Sequence, residues 1–175
     1  MGLTQDAEID LQAVERIRVL KYRYFRALDL KAWDDFGATL AEDATAHYGT
    51  KVYGEPLDLH GRDAITDFMR ENVAADMITV HVANHPDIEV DGLVAQGSWC
   101  FEDTVIVPGH DVLIRGAGYY QDRYVHTPHA GWLIAETTYE RIFESIQSTA
   151  ELPGFRLLAN RWADPAASGA LGNGH

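Results

Sequence analysis

Apolar residues in the first part of the chain recur every three to four positions, which is the spacing of a helix buried along one face. The first run extends from about Ala7 to Leu30. Its apolar positions are Ile9, Ala13, Ile17, Leu20, Tyr24, Ala27 and Leu28. The basic residues interpreted as its solvated face are Arg16, Arg18, Lys21, Arg23 and Arg26. This pattern predicts a long helix that packs by one side against the rest of the protein.

Two shorter helices and a small strand pair are predicted next. One helix begins at Ala32 or Trp33 and ends near Leu40. Residues 44–48 alternate in the manner of a strand, and residues 51–53 are its expected short partner. A third helix follows Gly61, and its apolar stripe is Ile65, Phe68, Met69 and Val73.

After residue 76 the period changes from that of a helix to that of a strand. Four long strands are predicted, from Met77 to Val90, Val94 to Val107, Val112 to Val125 and Gly131 to about Phe143. The segments that link them carry turn residues, as in Asp91-Gly92 and Pro108-Gly109. Three helices followed by an antiparallel meander predict an α+β fold in which a curved sheet wraps around the helices. We expect one domain over residues 1–163 and a flexible tail over residues 164–175.

The length of the chain indicates the number of domains, and its net charge excludes some classes of binding partner. A chain of 175 residues fits one domain with a substantial core. The net charge of −13 argues against nucleic acid and against an anionic membrane as partners. No apolar run reaches the roughly 18 residues of a spanning helix, and the N-terminus lacks the order of a signal peptide. We therefore expect a cytoplasmic protein.

The cysteine and histidine content disfavours a metal site. Cys100 is the single cysteine and lies in an apolar strand pattern, which predicts a buried, inert thiol. His81 and His85 are four residues apart, which on a strand places them roughly 13 Å apart along the axis. That distance is too long to chelate one ion, and no His-Glu-x-x-His run is present. We therefore expect no metal site. In Gly116-Ala117-Gly118 no helix follows, so we predict a bent or closely packed strand.

Strand alternation gathers candidate site residues on one face of the sheet. These are His81, Ala83 and His85 on the first long strand, Trp99, Phe101 and Asp103 on the second, and Tyr120, Asp122, Tyr124 and His126 on the third. Aromatic walls with a few titratable groups are typical of a small-molecule site. Asp29 ends the first helix, where the helix dipole disfavours a carboxylate. Our hypothesis is that Asp29 orients His81; the alternative is a turn aspartate and a structural histidine.

The chain resembles the NTF2-like superfamily, and within it the SnoaL-like branch that includes scytalone dehydratase and bile acid 7α-dehydratase. The resemblance extends from Ile9 to Phe143. It is carried by Asp29-Leu-Lys-Ala-Trp33, Thr79-Val-His81, Ile88-Glu-Val-Asp-Gly92, Tyr120-Gln-Asp122-Arg-Tyr and Gly131-Trp132. It implies a cone-shaped barrel in which three N-terminal helices pack in the concave face of a curved, mostly antiparallel sheet.

The resemblance also implies roles for individual residues. Asp29 and His81 match the catalytic dyad of the family, and Tyr24 and Tyr48 match catalytic or carbonyl-polarising tyrosines. The implied substrate-binding residues are Asp103, Asp122, Trp99, Phe101 and Tyr120. Asp122 departs from the asparagine of scytalone dehydratase, so the two substrates should differ. An arginine found late in the sheet of some members has no clear match here, and His126 or Arg123 occupies the region.

These residues imply a cofactor-independent dehydratase that removes a proton next to a carbonyl and eliminates water from a hydroxylated polycyclic, steroid-like or polyketide-like molecule. Two alternatives remain: an isomerase or cyclase of the same superfamily, and a non-catalytic small-molecule binder. A homotrimer is favoured over a dimer by the resemblance. The apolar positions assigned to the outer sheet face, or else to the core, are Val80, Val82, Cys100, Val105 and Ile114.

Overall fold

The computed structural model describes residues 10–50, 54 and 57–163. The helices are α1 (Leu11–Leu30), α2 (Trp33–Ala38) and α3 (Arg62–Asn72), with a short 3₁₀ turn at Pro108–His110. The strands are β1 (Leu40–Gly49), β2 (Leu57–His60), β3 (Ile78–Asp91), β4 (Val94–Val107), β5 (Val112–Thr127) and β6 (Gly131–Ser148). The predicted start of the first helix, the predicted strand at 51–53 and the predicted tail lie outside the described residues.

Within the described residues, six strands form one curved, mixed sheet in the order β2-β1-β6-β5-β4-β3. All neighbours are antiparallel except β1 and β6, which run parallel. The helices pack on the concave face, so the predicted α+β architecture is confirmed. The sheet does not close, because β2 and β3 remain as its two edges.

The start of β1 and the end of β6 differ from the prediction, because pairing with neighbouring strands extends both. The second helix ends at Ala38, and β1 already begins at Leu40, because Leu40 pairs with Ile134 of β6. The last strand continues past Phe143 to Ser148, where it still pairs with Val112 of β5. Irregular alternation near Phe143 hid this extension, since the strand register shifts there.

Helix α1 carries the predicted apolar stripe into the core. Its first turn is capped by the Asp10 carboxylate, which accepts from the Ala13 N–H at 2.9 Å. Its end is set by Lys31, which adopts a left-handed conformation with φ of 56° and returns its N–H to the last turn. The stripe residues buried against the sheet are Ala13, Ile17, Leu20, Tyr24, Ala27 and Leu28.

Lys21 was expected on the solvated face of this helix, and that expectation is wrong. The side chains of Lys21 and Asp122 are fully buried and form an ion pair with 2.7 Å between Nζ and Oδ2. The ammonium also lies 3.7 Å from the centre of the Tyr120 ring. Burial lowers the pKa of Lys21, and the adjacent Asp122 carboxylate opposes that effect. A cation at this position therefore joins α1 to β5 through the core.

Four of the apolar residues that were assigned to the outer sheet face, or else to the core, divide between the two faces of the sheet. Val80 and Val82 are exposed on the outer face, with 51% and 47% of their surface accessible. Val105 and Ile114 instead line the interior cavity, because they share strand parity with Phe101 and Tyr120.

Removing the buried cation should destabilise the fold. We expect Lys21→Met to lower the free energy of unfolding by about 3–5 kcal/mol, because it leaves the Asp122 carboxylate buried and unpaired. The double variant Lys21→Met/Asp122→Asn should lose less, because no isolated charge remains. Urea denaturation measures both. Arg16→Met, an exposed position on the same helix, is the control and should change stability by less than about 0.5 kcal/mol. A single variant as stable as this control would contradict the assignment.

Candidate functional site

Asp29 and His81 form a hydrogen-bonded pair between the end of α1 and the start of β3. The distance from His81 Nδ1 to Asp29 Oδ1 is 2.7 Å. The same carboxylate accepts from the His81 backbone N–H at 2.9 Å and from the Thr79 hydroxyl at 2.9 Å. Both side chains are largely enclosed, with 12% of His81 and 19% of Asp29 exposed. The two residues predicted as a dyad are thus in direct contact.

The surroundings of Asp29 explain why a carboxylate is placed at the unfavourable end of a helix. The negative end of the α1 dipole disfavours it there. Three donors from β3 compensate, and they also fix the carboxylate in one orientation. The His81 ring is held from its other side by Phe25, which stacks on it with the ring centres 5.5 Å apart. The imidazole is therefore positioned by the pair and by packing.

The geometry assigns different tasks to the two ring nitrogens. Nδ1 faces a carboxylate, which can only accept, so Nδ1 carries the proton and Nε2 keeps a lone pair in the neutral ring. His81 lines the interior cavity, whereas Asp29 lies behind it. Among the described residues, no protein partner is seen for Nε2. This nitrogen is therefore suited to act as a base toward a molecule in the cavity.

The cavity lies between α3 and the concave face of the sheet and has a volume of about 490 Å³. That volume is in the range of sites for small organic molecules. Its outer part is apolar, formed by Met69, Val73, Met77, Val105, Val107, Val112, Ile114 and Ile146. Its polar residues include Tyr48, Thr50, His81, Asp103, Tyr120, Tyr139, Arg141 and Glu144.

Two phenols meet beside the cavity. The hydroxyls of Tyr24 and Tyr48 lie 3.0 Å apart, and either can donate. Tyr48 lines the cavity and Tyr24 lies behind it, fully buried. Burial raises the pKa of both phenols well above the usual range, so both stay protonated at neutral pH. When Tyr24 donates to Tyr48, the Tyr48 proton is left for a ligand.

Arg141 of β6 crosses the cavity wall and meets two carboxylates. Its two terminal nitrogens donate to Asp103 Oδ1 at 2.9 Å and Oδ2 at 2.6 Å. Its Nε lies 3.0 Å from Glu144 Oε1, which also accepts from the Thr50 hydroxyl at 2.7 Å. Burial acts to lower the pKa of Arg141, but Asp103 outweighs it and the pKa rises above its ordinary value. The guanidinium is a permanent cation held in a fixed orientation.

Two glycines make room for this arginine. Gly116 pairs with Asp103 and Gly118 pairs with Arg141 across the sheet. A Cβ at position 116 would overlap the Arg141 guanidinium, and one at position 118 would overlap the backbone of Glu140. The prediction of close packing at Gly116-Ala117-Gly118 is confirmed, and the packed neighbour is Arg141.

The structure brings together only part of the predicted site. His81, Tyr48, Asp103, Phe101 and Tyr120 line the cavity. Trp99 and Asp122 do not: Trp99 donates to the Tyr124 hydroxyl at 2.8 Å, and Tyr124 donates to Asp122 at 2.8 Å. Both lie under α1 in the core, away from the cavity, which corrects their placement as substrate contacts.

Three other residues of open role lie away from the cavity. His85 is exposed, because a positive φ of 49° and a shift in the β3–β4 register end the strand alternation there. His126 contacts Trp132, with the ring centres 5.3 Å apart. Arg123 is exposed on β5. None of these three lines the cavity; among the described residues, the arginine that does is Arg141.

Sequence reasoning missed Tyr139, Arg141 and Glu144. Tyr139 and Arg141 face the cavity by ordinary alternation, but Glu144 is three residues from Arg141 and should face the other way. A register shift between Arg141 and Phe143 restores Glu144 to the inner face. The small residues at 116 and 118 were the available signal, since they left space for a large side chain on the neighbouring strand.

No helix in the described parts of the chain is both long and apolar enough to span a membrane. Over residues 10–50 and 57–163, no cluster of three or more potential metal-ligating side chains is found.

Comparison with known proteins gives a family match and several structural matches. A family model described as a SnoaL-like domain matches residues 10–138. A protein described as a scytalone dehydratase from Novosphingobium aromaticivorans superposes with a TM-score of 0.68, at 17% identity over 78% of this chain and 88% of that one.

Two further solved structures share the fold. The hexachlorocyclohexane dehydrochlorinase LinA-type3 from Novosphingobium barchaimii has a TM-score of 0.69, at 14% identity over 85% of this chain and 96% of that one. The Kfla4162 protein from Kribbella flavida has a TM-score of 0.69, at 16% identity over 77% of this chain and 93% of that one. Identities this low establish a common fold and leave the reaction open.

The buried phenols should be visible in an alkaline titration. Burial raises the pKa of Tyr139 to about 12, against the lowering influence of Arg141. The difference in phenolate absorbance between wild type and Tyr139→Phe should therefore develop near pH 12. Because the unfolded-state pKa is about 10, this phenol stabilises the fold fully below pH 10, and the contribution is lost as the pH rises toward 12. A difference signal complete by pH 10 would contradict this environment.

Proposed function

The chain belongs to the SnoaL-like domain family, and we propose that it is a cofactor-independent lyase of the dehydratase type. It would remove a proton next to a carbonyl and eliminate water from a hydroxylated polycyclic, steroid-like or polyketide-like small molecule. The observation that carries the proposal is the Asp29–His81 pair, in which Nδ1 is bound to the carboxylate and the ring borders an apolar cavity.

The first step is proton transfer from carbon to His81. Nε2, which keeps the lone pair of the neutral ring, takes the proton next to the carbonyl. Asp29 holds the ring tautomer and stabilises the imidazolium that forms, as the orienting carboxylate of a catalytic triad does. The electron pair of the broken C–H bond moves onto the carbonyl oxygen, which becomes an enolate.

The enolate needs a hydrogen-bond donor, and Tyr48 is the best placed phenol. It lines the cavity, is kept protonated by burial and can receive a hydrogen bond from Tyr24 behind it. A donor positioned in advance of the reaction stabilises developing charge more than water does. When the enolate collapses, the β C–O bond breaks and the imidazolium returns the proton to the leaving hydroxyl, so one water is formed.

The aromatic walls suit a flat apolar body. Phe101, Tyr120 and Tyr139 contact one another with ring centres 4.8–5.4 Å apart. Such a wall excludes water from the reacting atoms and packs against rings. The polar groups of the substrate then fall near His81 and Tyr48.

Two other functions use the same features. An isomerase or cyclase would begin with the same proton abstraction but expel no water. A non-catalytic binder would use the cavity alone, with the Asp29–His81 pair as a buried structural contact. We also propose a homotrimer, or a dimer as the alternative, with the exposed Val80, Val82 and Phe143 of the outer sheet face as the candidate contact.

The dyad should be essential for turnover and dispensable for folding. We expect His81→Ala and Asp29→Asn each to reduce turnover by orders of magnitude while the circular dichroism spectrum is unchanged. The assay is mass spectrometry on a panel of β-hydroxy ketones, steroid-like and polyketide-like. Loss of one water that requires His81 supports the dehydratase, and a product of unchanged mass supports an isomerase or cyclase. Full activity of a folded His81→Ala variant would remove the dyad from the mechanism.

The oxyanion donor should have a smaller effect. We expect Tyr48→Phe to reduce turnover by about 10- to 1000-fold, which is the scale of one such donor. Tyr22→Phe, at an exposed position on α1, is the matched control and should leave turnover unchanged. Equal activity of Tyr48→Phe and this control would exclude Tyr48 and favour Tyr24 as the donor.

A further inference from the structure

The cavity contains a largely buried arginine, Arg141, that already faces two carboxylates of the protein. Two of its nitrogens are bound by Asp103 and the third lies at ion-pair distance from Glu144. Only 11% of the Arg141 side chain is exposed. A guanidinium that receives a substrate carboxylate in bidentate fashion must offer a free pair of donors. The terminal pair of Arg141 is already taken by Asp103, and its Nε edge faces the Glu144 carboxylate.

The net charge of the cavity wall also disfavours binding of a carboxylate. Among the described residues that line the cavity, Arg141 is the one Lys or Arg, and it faces the two carboxylates of Asp103 and Glu144. When the histidines are neutral, Arg141, Asp103 and Glu144 together have a net charge of −1. Asp29, behind His81, adds a second. An incoming carboxylate would meet repulsion in a largely apolar, water-poor site, where charges interact strongly.

Displacement of Asp103 by a substrate carboxylate is disfavoured by burial. The Asp103 side chain is 3% exposed and is held between Gly116 and Arg141. If a ligand took its place on Arg141, the Asp103 carboxylate would remain as an unpaired charge in the interior, which is the most costly state for such a pair. The Arg141 fork therefore stays closed to anions.

We propose that this cavity selects substrates that are uncharged at the end they present to Arg141, such as hydroxy ketones or their amides and esters, and rejects free carboxylates. Asp103 and Glu144 are then specificity-determining residues that neutralise Arg141. The inference rests on the proposed function only in placing the substrate in this cavity. It is tested by binding, without turnover.

The probes are matched pairs that differ only in charge: 2-naphthoic acid with 2-naphthamide, and a 3-ketosteroid 17-carboxylic acid with its carboxamide. Isothermal titration calorimetry at a mildly alkaline pH, where the acids are ionised, measures the dissociation constant of the acid and of the amide in each pair. For wild type we expect each amide to bind about 10-fold or more tightly than its acid. Equal affinity, or tighter binding of the acids, would overturn the proposal.

Variants that change the charge around Arg141 test the proposal further. Glu144→Gln removes one negative charge beside Arg141 and should reduce the difference in affinity between amide and acid. Asp103→Asn/Glu144→Gln leaves Arg141 without carboxylate partners and should reverse the preference, so that the acid binds more tightly. Glu140→Gln is the matched control: it removes the same charge from the same strand at an exposed position and should leave the wild-type preference intact.

The outcomes separate this inference from the proposed reaction. Amide binding without turnover would leave the charge selection standing while the dehydratase proposal fails. His81-dependent turnover of a free carboxylate would keep the reaction and overturn the selection. Failure of every amide to bind would also overturn the selection, since a site that prefers uncharged ligands must accept one. Thermal unfolding of each variant shows that the altered preference belongs to folded protein.

Discussion

The buried ion pair between Lys21 and Asp122 is the interaction on which the arrangement of this protein depends. It fixes α1 to β5 in the centre of the core, where neither charge has access to water. Lys21 also contacts the rings of Tyr24, Phe25 and Tyr120, so the cation determines how the aromatic residues around it pack. Phe25 stacks on His81 and Tyr120 lines the cavity. A polar contact in the core thereby sets the position of the groups that surround the candidate base.

Helix α1 is attached a second time, eight residues later, by Asp29. At a rise of about 1.5 Å per residue the two attachment points lie about 12 Å apart along the helix. One joins the helix to β5 and the other to β3. Two points on different strands fix both the depth of the helix and its rotation about its axis. The position of the Asp29 carboxylate relative to His81 is therefore a property of the whole helix–sheet packing.

The fold and the contact between Asp29 and His81 could be predicted from the sequence, whereas the full lining of the cavity could not. Helical and strand periods located the three helices and the four long strands, and the Asp29–His81 pairing followed from the resemblance and from a carboxylate at the wrong end of a helix. Lys21 could not be placed correctly, because periodicity assigns charged residues to the surface and cannot foresee a partner about a hundred positions away on β5. Asp122 was on the predicted inner face, yet α1 covers that part of the sheet. Burial, and not strand parity, decides which inner-face residue reaches the cavity.

The grouping of Arg141 with Glu144 was out of reach for a related reason. Strand alternation forbids two residues three apart from sharing a face, and a register shift between them lifts that restriction. Such shifts have no reliable signature in one sequence. The glycines opposite Arg141 are the local trace of the arrangement, but small residues alone do not reveal the size or charge of the side chain that fills the space.

The protein has two enclosed charge clusters, one formed by Lys21 with Asp122 and one formed by Arg141 with Asp103 and Glu144. They limit which groups can interact with a ligand in the cavity. Lys21 and Arg141 are enclosed cations that each face carboxylates of the protein itself. In the proposed reaction these cations are therefore not free to stabilise the enolate, and the proposed stabilisation comes from dipoles such as the Tyr48 hydroxyl, which lines the cavity. The apolar outer part of the cavity is built from α3 and from β4, β5 and β6, whereas the Asp29–His81 pair is built on α1 and β3. Changes to the outer wall can alter which ligand fits without moving the candidate base, which is a physical route by which a fold of this kind accommodates different substrates.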